Sequence, residues 1–142
     1  MSDLPKLGDR SSAIELISNT LLRLGFITAP SDIFDDNLTQ GIKAFQQERG
    51  LTATGVINEI TARFLEEARF KLGDRVLVFN AASLMRGDDV SNLQDRLIQM
   101  GFNCGKVDGI YGAKTEGAVK EFQKSVGILT DGRCGPATLI SL

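Results

Sequence analysis

The sequence predicts an all-α fold made of two tandem three-helix modules. The stretch "IFDDNLTQGIKAFQQERGLTATG" at 33–55 returns 77 positions later as "IYGAKTEGAVKEFQKSVGILTDG" at 110–132, so the chain holds two copies of one unit. Apolar residues in each copy recur at helical spacing. Glycines and capping residues stand where those stripes begin and end. We therefore expect modules at 8–73 and 88–142, joined by a connector at 74–87.

The first copy contains three predicted helices. Ser12 and Glu15 predict a capping box at the start of the first helix, and Gly25 predicts its end in a left-handed residue. The third helix is expected from about 58 to 72, ending at Gly73. The apolar stripes of the first and second helices are Ile14, Ile17, Leu21 and Leu24, and Leu38, Ile42 and Phe45.

The second copy follows the same plan. Asp88 or Asp89 can cap its first helix, and Gly101 can end it. Gly127 closes the second helix, and Pro136 stands at the first turn of the third, where a missing N–H costs nothing. The apolar stripes here are Val90, Leu93, Leu97 and Met100, and Ala118, Val119, Phe122 and Val126.

The connector is too apolar to be a flexible linker. Its residues 75–79 are β-branched and aromatic, which predicts a short packed segment with a possible small strand. "KLGDR" occurs at 6–10 and again at 71–75, out of register with the main repeat. It either marks the lead-in to each copy or is coincidental.

Two loops of the second copy share the pattern D-G-x-x-G-x-x-T in front of a helix: "DGIYGAKT" at 108–115 and "DGRCGPAT" at 131–138. Asp-Gly forms tight turns, because Asp bonds its own backbone and Gly accepts positive φ. The residues expected to shape these turns are Gly109, Gly112, Asp131, Gly132 and Gly135. The extended pairs that follow Asp-Gly could lie side by side as a small ribbon. In the first copy Asp35 replaces Gly112, so a ligand site need not be shared by both copies.

Composition excludes several classes of function. The chain has no His, which excludes Ser-His-Asp and Cys-His catalysis and His-ligated zinc. We predict no catalytic residue, no metal site and no cofactor. The net charge of −2 and the absence of Trp argue against nucleic-acid binding, and no apolar run is long enough to insert into a membrane. Cys104 and Cys134 could be free thiols in a reducing compartment or a disulfide outside it.

Four residues of the second copy are candidate ligand contacts, and each has a structural alternative. Asp108 could contact ligand amides or only form its turn. Tyr111 could stack on a sugar or peptide, or pack across the loop. Gln123 could reach a ligand or bond loop backbone, as buried polar groups need partners. Lys114 belongs to a group of lysines that could meet stem-peptide carboxylates or form a solvated helix face; the others are Lys106, Lys120 and Lys124.

The motifs of the second copy carry a family resemblance. In order they are "DVSNLQ", "IQMGF", "DGIYG", "TEGAVKEFQ" and "DGRCGPAT". Together they resemble the peptidoglycan-binding module of bacterial cell-wall hydrolases, a small three-helix domain. The first copy resembles it more distantly, through "LRLGF" and "IKAFQQERGL". The tandem pair is similar to the N-terminal region of actinobacterial N-acetylmuramoyl-L-alanine amidase-like proteins.

This resemblance implies a non-catalytic targeting or regulatory region that binds peptidoglycan or its fragments. It also implies a zinc amidase domain C-terminal to it in the full-length protein. Some members of that group lack a secretion signal and are thought to act inside the cell, which implies an alternative role as an adaptor. Its partner would be a cytoplasmic enzyme of peptidoglycan precursor synthesis.

The compartment depends on the N-terminus. "MSDLPKLGDRSS" has no basic region followed by an apolar run, so no signal peptide is visible. We expect a cytoplasmic location if Met1 is the native start, and the cell wall if a signal peptide has been removed.

Overall fold

The computed structural model describes residues 4–142 and confirms an all-α fold there, with six helices. They are α1 (Ser12–Leu24), α2 (Asp36–Glu48), α3 (Glu59–Glu67), α4 (Asp88–Gln99), α5 (Ala113–Val126) and α6 (Pro136–Ser141). No helix in this described part has the length and apolar character to cross a membrane. Met1, on which the expected compartment depends, lies outside the described residues.

The chain divides into two compact units, Met1–Arg69 and Phe70–Leu142, here called the first module and the second module. The core of the first module is built from the predicted stripes of α1 and α2, with one residue from α3. Its fully buried members include Ile14, Leu21, Leu38, Ile42 and Phe45, and Leu65 joins them from α3. Phe26 packs edge-on against Phe45, with the ring centroids 5.8 Å apart.

The second module has an equivalent core. Phe102 packs edge-on against Phe122 with the ring centroids 5.7 Å apart, which repeats the aromatic contact of the first module at matching positions. The other core residues include Val90, Leu93, Leu97, Tyr111 and Val119. The repeat seen in the sequence is therefore a repeat of packing.

Several helix ends differ from the predictions. The capping box at Ser12 is wrong, because α1 begins with Ser12 already inside the helix and Ser11 as its N-cap, and no side chain caps it. Gly25 does end α1 in a left-handed residue with φ 85°. In α3 the Asn58 side chain accepts the N–H of Thr61 at 2.8 Å, which caps the helix start.

The third helix of the first module is shorter than expected, ending at Glu67 rather than near 72. A local turn follows the helix, in which Lys71 and Asp74 bond each other. The Lys71 N–H donates to Asp74 Oδ2 at 2.9 Å, and the Asp74 N–H donates to the Lys71 carbonyl at 3.0 Å. Lys6 and Asp9 make the same two bonds at 2.9 Å each. The "KLGD" repeat is thus one turn used twice.

The connector packs into the second module without forming a strand. Instead of a strand at 75–79, the structure has isolated antiparallel bridges, Leu77 with Cys134 and Arg86 with Ile110. Leu77 is fully buried in the core of the second module. The predicted ribbon is therefore wrong, because each extended loop pair bonds a connector residue rather than the other loop.

A buried ion pair holds the connector. Arg75 Nε lies 2.8 Å from Asp89 Oδ2, and the Asp89 side chain is 1% exposed. The same guanidinium donates to the Arg86 carbonyl at 2.6 Å and lies 3.9 Å from the centroid of the Phe70 ring. The N-cap of α4 is Gly87, and no side chain caps this helix. Asp89 is therefore not the predicted N-cap of α4; it lies inside the first turn, where its carboxylate holds the connector and Oδ1 also accepts the Val90 N–H at 2.9 Å.

We expect Arg75→Met to destabilise the second module by about 3 kcal/mol, because it leaves the buried Asp89 carboxylate without its cation, although Oδ1 still accepts the Val90 N–H at 2.9 Å. Urea unfolding followed by the fluorescence of Tyr111 measures this, since the chain has one Tyr and no Trp. Lys120→Met is the matched control. Lys120 pairs with Glu116 at 3.8 Å on the surface of the same module, and its loss should cost at most about 0.5 kcal/mol. Equal losses in the two variants would contradict this role for Arg75.

Candidate functional site

Three buried glutamines organise the loops that lead into helices: Gln46, Gln94 and Gln123, each 1% exposed. A glutamine amide can accept and donate at once, so a single side chain can satisfy both kinds of backbone group. Each of the three accepts loop N–H groups through Oε1 and lies against loop acceptors through Nε2.

Gln123 holds the loop before α6. Its Oε1 accepts the Gly132 N–H at 2.9 Å. Its Nε2 lies 2.9 Å from Asp131 Oδ1, 2.9 Å from the Arg133 carbonyl and 3.0 Å from Thr138 Oγ1. The structure thus favours the backbone-bonding alternative for Gln123.

Gln94 holds the loop before α5 in the same way. Its Oε1 accepts the N–H groups of Asp108 at 3.1 Å and Gly109 at 2.9 Å. Its Nε2 lies 3.0 Å from each of three acceptors: Asp108 Oδ1, the Ile110 carbonyl and Thr115 Oγ1. Sequence reasoning missed Gln94. The available signal was an apolar–Gln pair upstream of each D-G-x-x-G-x-x-T loop.

The first module keeps one of these two amide centres. Gln46 Oε1 accepts the Gly55 N–H at 2.9 Å, and its Nε2 lies 3.0 Å from the Val56 carbonyl and 3.1 Å from Thr61 Oγ1. At the position matching Gln94 stands Ser18, whose hydroxyl accepts the Ser31 N–H at 2.8 Å. The loop before α2 is therefore built differently from the loop before α5.

The carboxylates of Asp108 and Asp131 are part of the turns. Asp131 Oδ1 accepts the Arg133 N–H at 2.9 Å, and this bond together with the one from Gln123 lowers the pKa of Asp131. Burial acts to raise the pKa of Asp108, but hydrogen bonds from Gln94 and the Ile110 N–H outweigh it, so that pKa is also lowered. Both residues carry a fixed negative charge at neutral pH.

Tyr111 lies inside the second module. Its ring is fully buried, and its hydroxyl donates to the Gly132 carbonyl at 2.6 Å, which joins the two D-G-x-x-G-x-x-T loops. Burial raises the pKa of this phenol well above its ordinary value of 10.0. Phe34, at the matching position of the first module, is also buried. These contacts favour packing over stacking on a ligand.

Cys104 and Cys134 are free, buried thiols in the structure. Burial raises the pKa of both, that of Cys134 to about 11. A thiol with a raised pKa forms little of the reactive thiolate at neutral pH.

The solvent-facing side of the loop before α5 borders a groove of about 470 Å³, here called the α5 groove. Its lining includes Lys106, Asp108, Gly112 and Lys114. Two of the candidate ligand contacts, Asp108 and Lys114, therefore meet at one surface. Tyr111 lies in the core, and Gln123 lines a separate groove of about 280 Å³ with Asp131 and Arg133.

The predicted turn glycines fall into two groups. Gly109 and Gly132 have φ of 74° and 73°, where a side chain is strained. A Cβ on Gly109 would also come within 2.9 Å of Ser91 Oγ. Gly112 and Gly135 have negative φ, −98° and −108°, so their backbone does not require glycine.

Comparison with known proteins identifies the repeat. The chain matches the putative peptidoglycan binding domain family twice, over residues 10–65 and 86–142. It is 40% identical to the N-acetylmuramoyl-L-alanine amidase CwlM of Mycobacterium tuberculosis, over 99% of this chain and 37% of that protein. A spore cortex-lytic enzyme of Bacillus cereus is 46% identical over 37% of this chain and 20% of its own length. The chain thus spans little more than a third of these relatives at most.

Among solved structures, the crystal structure of the SleB N-terminal domain is 36% identical. It covers 49% of this chain and 89% of its own, with a TM-score of 0.44.

We expect Gln94→Met to destabilise the second module by at least about 3 kcal/mol, because it leaves several buried loop groups without partners at about 1–3 kcal/mol each. Urea unfolding followed by Tyr111 fluorescence measures the change. Gln99→Met is the control, since Gln99 lies exposed on the same helix and bonds Asp95 at 2.8 Å. A Gln94→Met variant as stable as the control would show that the loop does not depend on this amide.

Alkaline titration tests the burial of Tyr111. Its folded pKa is raised, so its contribution to stability is complete below the ordinary pKa of 10.0 and is lost as the pH rises beyond it. We expect tyrosinate absorbance to appear only together with loss of helical circular dichroism, well above pH 10. Tyrosinate formation near pH 10 with native circular dichroism would place the hydroxyl in solvent.

Proposed function

The chain belongs to the putative peptidoglycan binding domain family, and on that premise we propose that it is the non-catalytic region by which a cell-wall N-acetylmuramoyl-L-alanine amidase-like protein binds peptidoglycan or its fragments. The observation that carries the proposal is the double family match, one for each module. The similarity to an amidase over 99% of the chain supports the association with that enzyme class.

The second module is the better candidate for binding. It keeps both amide-centred loops, and its α5 groove is lined by charged side chains. The first module has lost one glutamine and most of the turn glycines. Its groove beside the loop before α2, about 310 Å³, is lined by Glu15, Ser31 and Asp32 among others. The two modules therefore present different chemistry at related surfaces.

In this proposal the full-length protein carries a zinc amidase domain C-terminal to the two modules. The relatives that match are much longer than this chain, which leaves room for such a domain in them. The modules would hold the enzyme on its polymer, so that binding and cleavage are performed by different parts of the protein. The compartment is the cell wall if a signal peptide precedes the mature chain.

A second candidate function is that of a cytoplasmic adaptor that docks an enzyme of peptidoglycan precursor synthesis. The specific observation in its favour is an apolar groove of about 150 Å³ on the first module, lined by Leu16, Ile17, Ile57 and Leu65 among others. Leu16 in this groove is 45% exposed, and exposed apolar surface is one mark of a protein–protein contact.

Co-sedimentation of the full chain with purified sacculi tests the first function. We expect the chain to sediment with sacculi but not with cellulose, a glycan without peptides, and soluble fragments to compete. The Lys120→Met variant should sediment like the wild type, since its pair lies outside the α5 groove. No binding at high micromolar protein would contradict the proposal.

Size-exclusion chromatography with purified precursor enzymes separates the two functions. Co-elution with one of them, abolished by Leu16→Asp in the apolar groove, together with no binding to sacculi, would favour the adaptor. Binding to sacculi that survives Leu16→Asp would favour the targeting region.

A further inference from the structure

The two modules differ at one matched position beside their grooves. Gly112 and Asp35 each precede the second helix of their module and share a backbone conformation, with φ and ψ of −98° and −172° for Gly112 and −104° and −174° for Asp35. Asp35 Oδ1 accepts the Leu38 N–H at 2.9 Å. Gly112 supplies no such group, and a Cβ added there would meet no atom within 4 Å. The first module thus holds its own carboxylate where the second has open space.

The second module also has positively charged side chains near this position where the first module has uncharged ones. Lys106 and Lys114 line the α5 groove, and both are exposed. The matched residues of the first module are Ala29 and Asn37, which carry no charge. The Lys114 stem lies across Gly105, where an added Cβ would come within 3.3 Å of Lys114 Cδ. The Lys114 stem is therefore packed against the loop at Gly105, while the side chain as a whole remains exposed beside the groove.

Asp108 adds an acceptor to the same groove. Its Oδ1 is held by Gln94 at 3.0 Å and by the Ile110 N–H at 3.0 Å, so the carboxylate is fixed in place. Its lowered pKa keeps it ionised at neutral pH. The groove therefore offers cations for a carboxylate and a fixed acceptor for an N–H. The free end of a peptide carries these two groups on one residue.

We propose that the α5 groove binds a short peptide through its free carboxylate, with Lys106 and Lys114 pairing the carboxylate and Asp108 accepting an amide N–H. The bound carboxylate takes the place that the Asp35 carboxylate occupies in the first module. This inference rests on the proposed function and names the part of peptidoglycan that is recognised: the stem peptide and not the glycan. It also assigns recognition to the second module, because Asp35 fills the matching place in the first.

The test uses the full chain and isothermal titration with disaccharide-tetrapeptide fragments that carry free carboxyl groups. We expect Gly112→Asp to weaken binding at least tenfold, because it supplies an internal carboxylate in the groove. The melting temperature should not fall, since the backbone and the open space accept the side chain. Gly112→Ala, which adds a Cβ without charge, should bind nearly as the wild type does.

Two lysine variants test whether binding depends on the positive charge of Lys114. We expect Lys114→Gln to weaken binding about tenfold and Lys124→Gln, at the other end of α5, to leave it unchanged. Fragments with amidated carboxyl groups should bind the wild type as weakly as free fragments bind Lys114→Gln. Amidation should then have little further effect on the Lys114→Gln variant.

The outcomes separate this inference from the function on which it rests. If the chain binds sacculi and fragments but neither amidation nor Gly112→Asp weakens the binding, the carboxylate site is wrong and the peptidoglycan-binding role stands. Competition by peptide-free glycan with equal strength would contradict the inference in the same way. If the wild-type chain binds neither sacculi nor fragments, the proposed function itself fails.

Discussion

The interaction on which the rest of the structure depends is a buried glutamine amide at the centre of the loops before α3, α5 and α6. A loop that turns sharply into a helix leaves N–H and C=O groups that no helix or sheet satisfies, and burying them unpaired is costly. Gln123 meets both kinds with one neutral side chain, through the Gly132 N–H and the Arg133 carbonyl. Asp131 in the turn and Thr138 in the helix also lie within hydrogen-bond distance of its Nε2. Glycine follows Asp because φ there is positive.

This arrangement divides each loop into an inner and an outer side. The inner side is used entirely for the fold, as the buried Tyr111 hydroxyl on the Gly132 carbonyl illustrates. The outer side faces solvent at the α5 groove, which Asp108 and Lys114 border. A loop held rigidly from behind presents its outer groups at low entropic cost. The two modules differ on both sides of the loop before their second helix, since Ser18 stands where the second module has Gln94, and Asp35 where it has Gly112.

The helices could be predicted from the sequence because apolar periodicity is a local signal. The repeat could be predicted because the chain matches itself at an offset of 77 residues. Gln94 was missed, since its partners lie 14 to 21 positions along the chain and its one signal is the match of Leu93-Gln94 with Phe122-Gln123 before the two similar loops. Asp89 misled for a related reason. An Asp at a helix start has the same sequence signature whether it caps the helix or pairs with a distant Arg75. Asp108 and Lys114 lie at one groove in the structure. Their role in binding a ligand remains a prediction.

Nitrogen-15 NMR of the full chain, titrated with disaccharide-tetrapeptide fragments, tests the central claim most directly. The account predicts that chemical-shift changes concentrate in the backbone amides of residues 105–115, while the Gln94 side-chain amide remains protected from hydrogen exchange throughout. Changes centred on the first module, or rapid exchange of the Gln94 amide in the free protein, would contradict the claim that a buried glutamine holds this loop and leaves its outer face to bind.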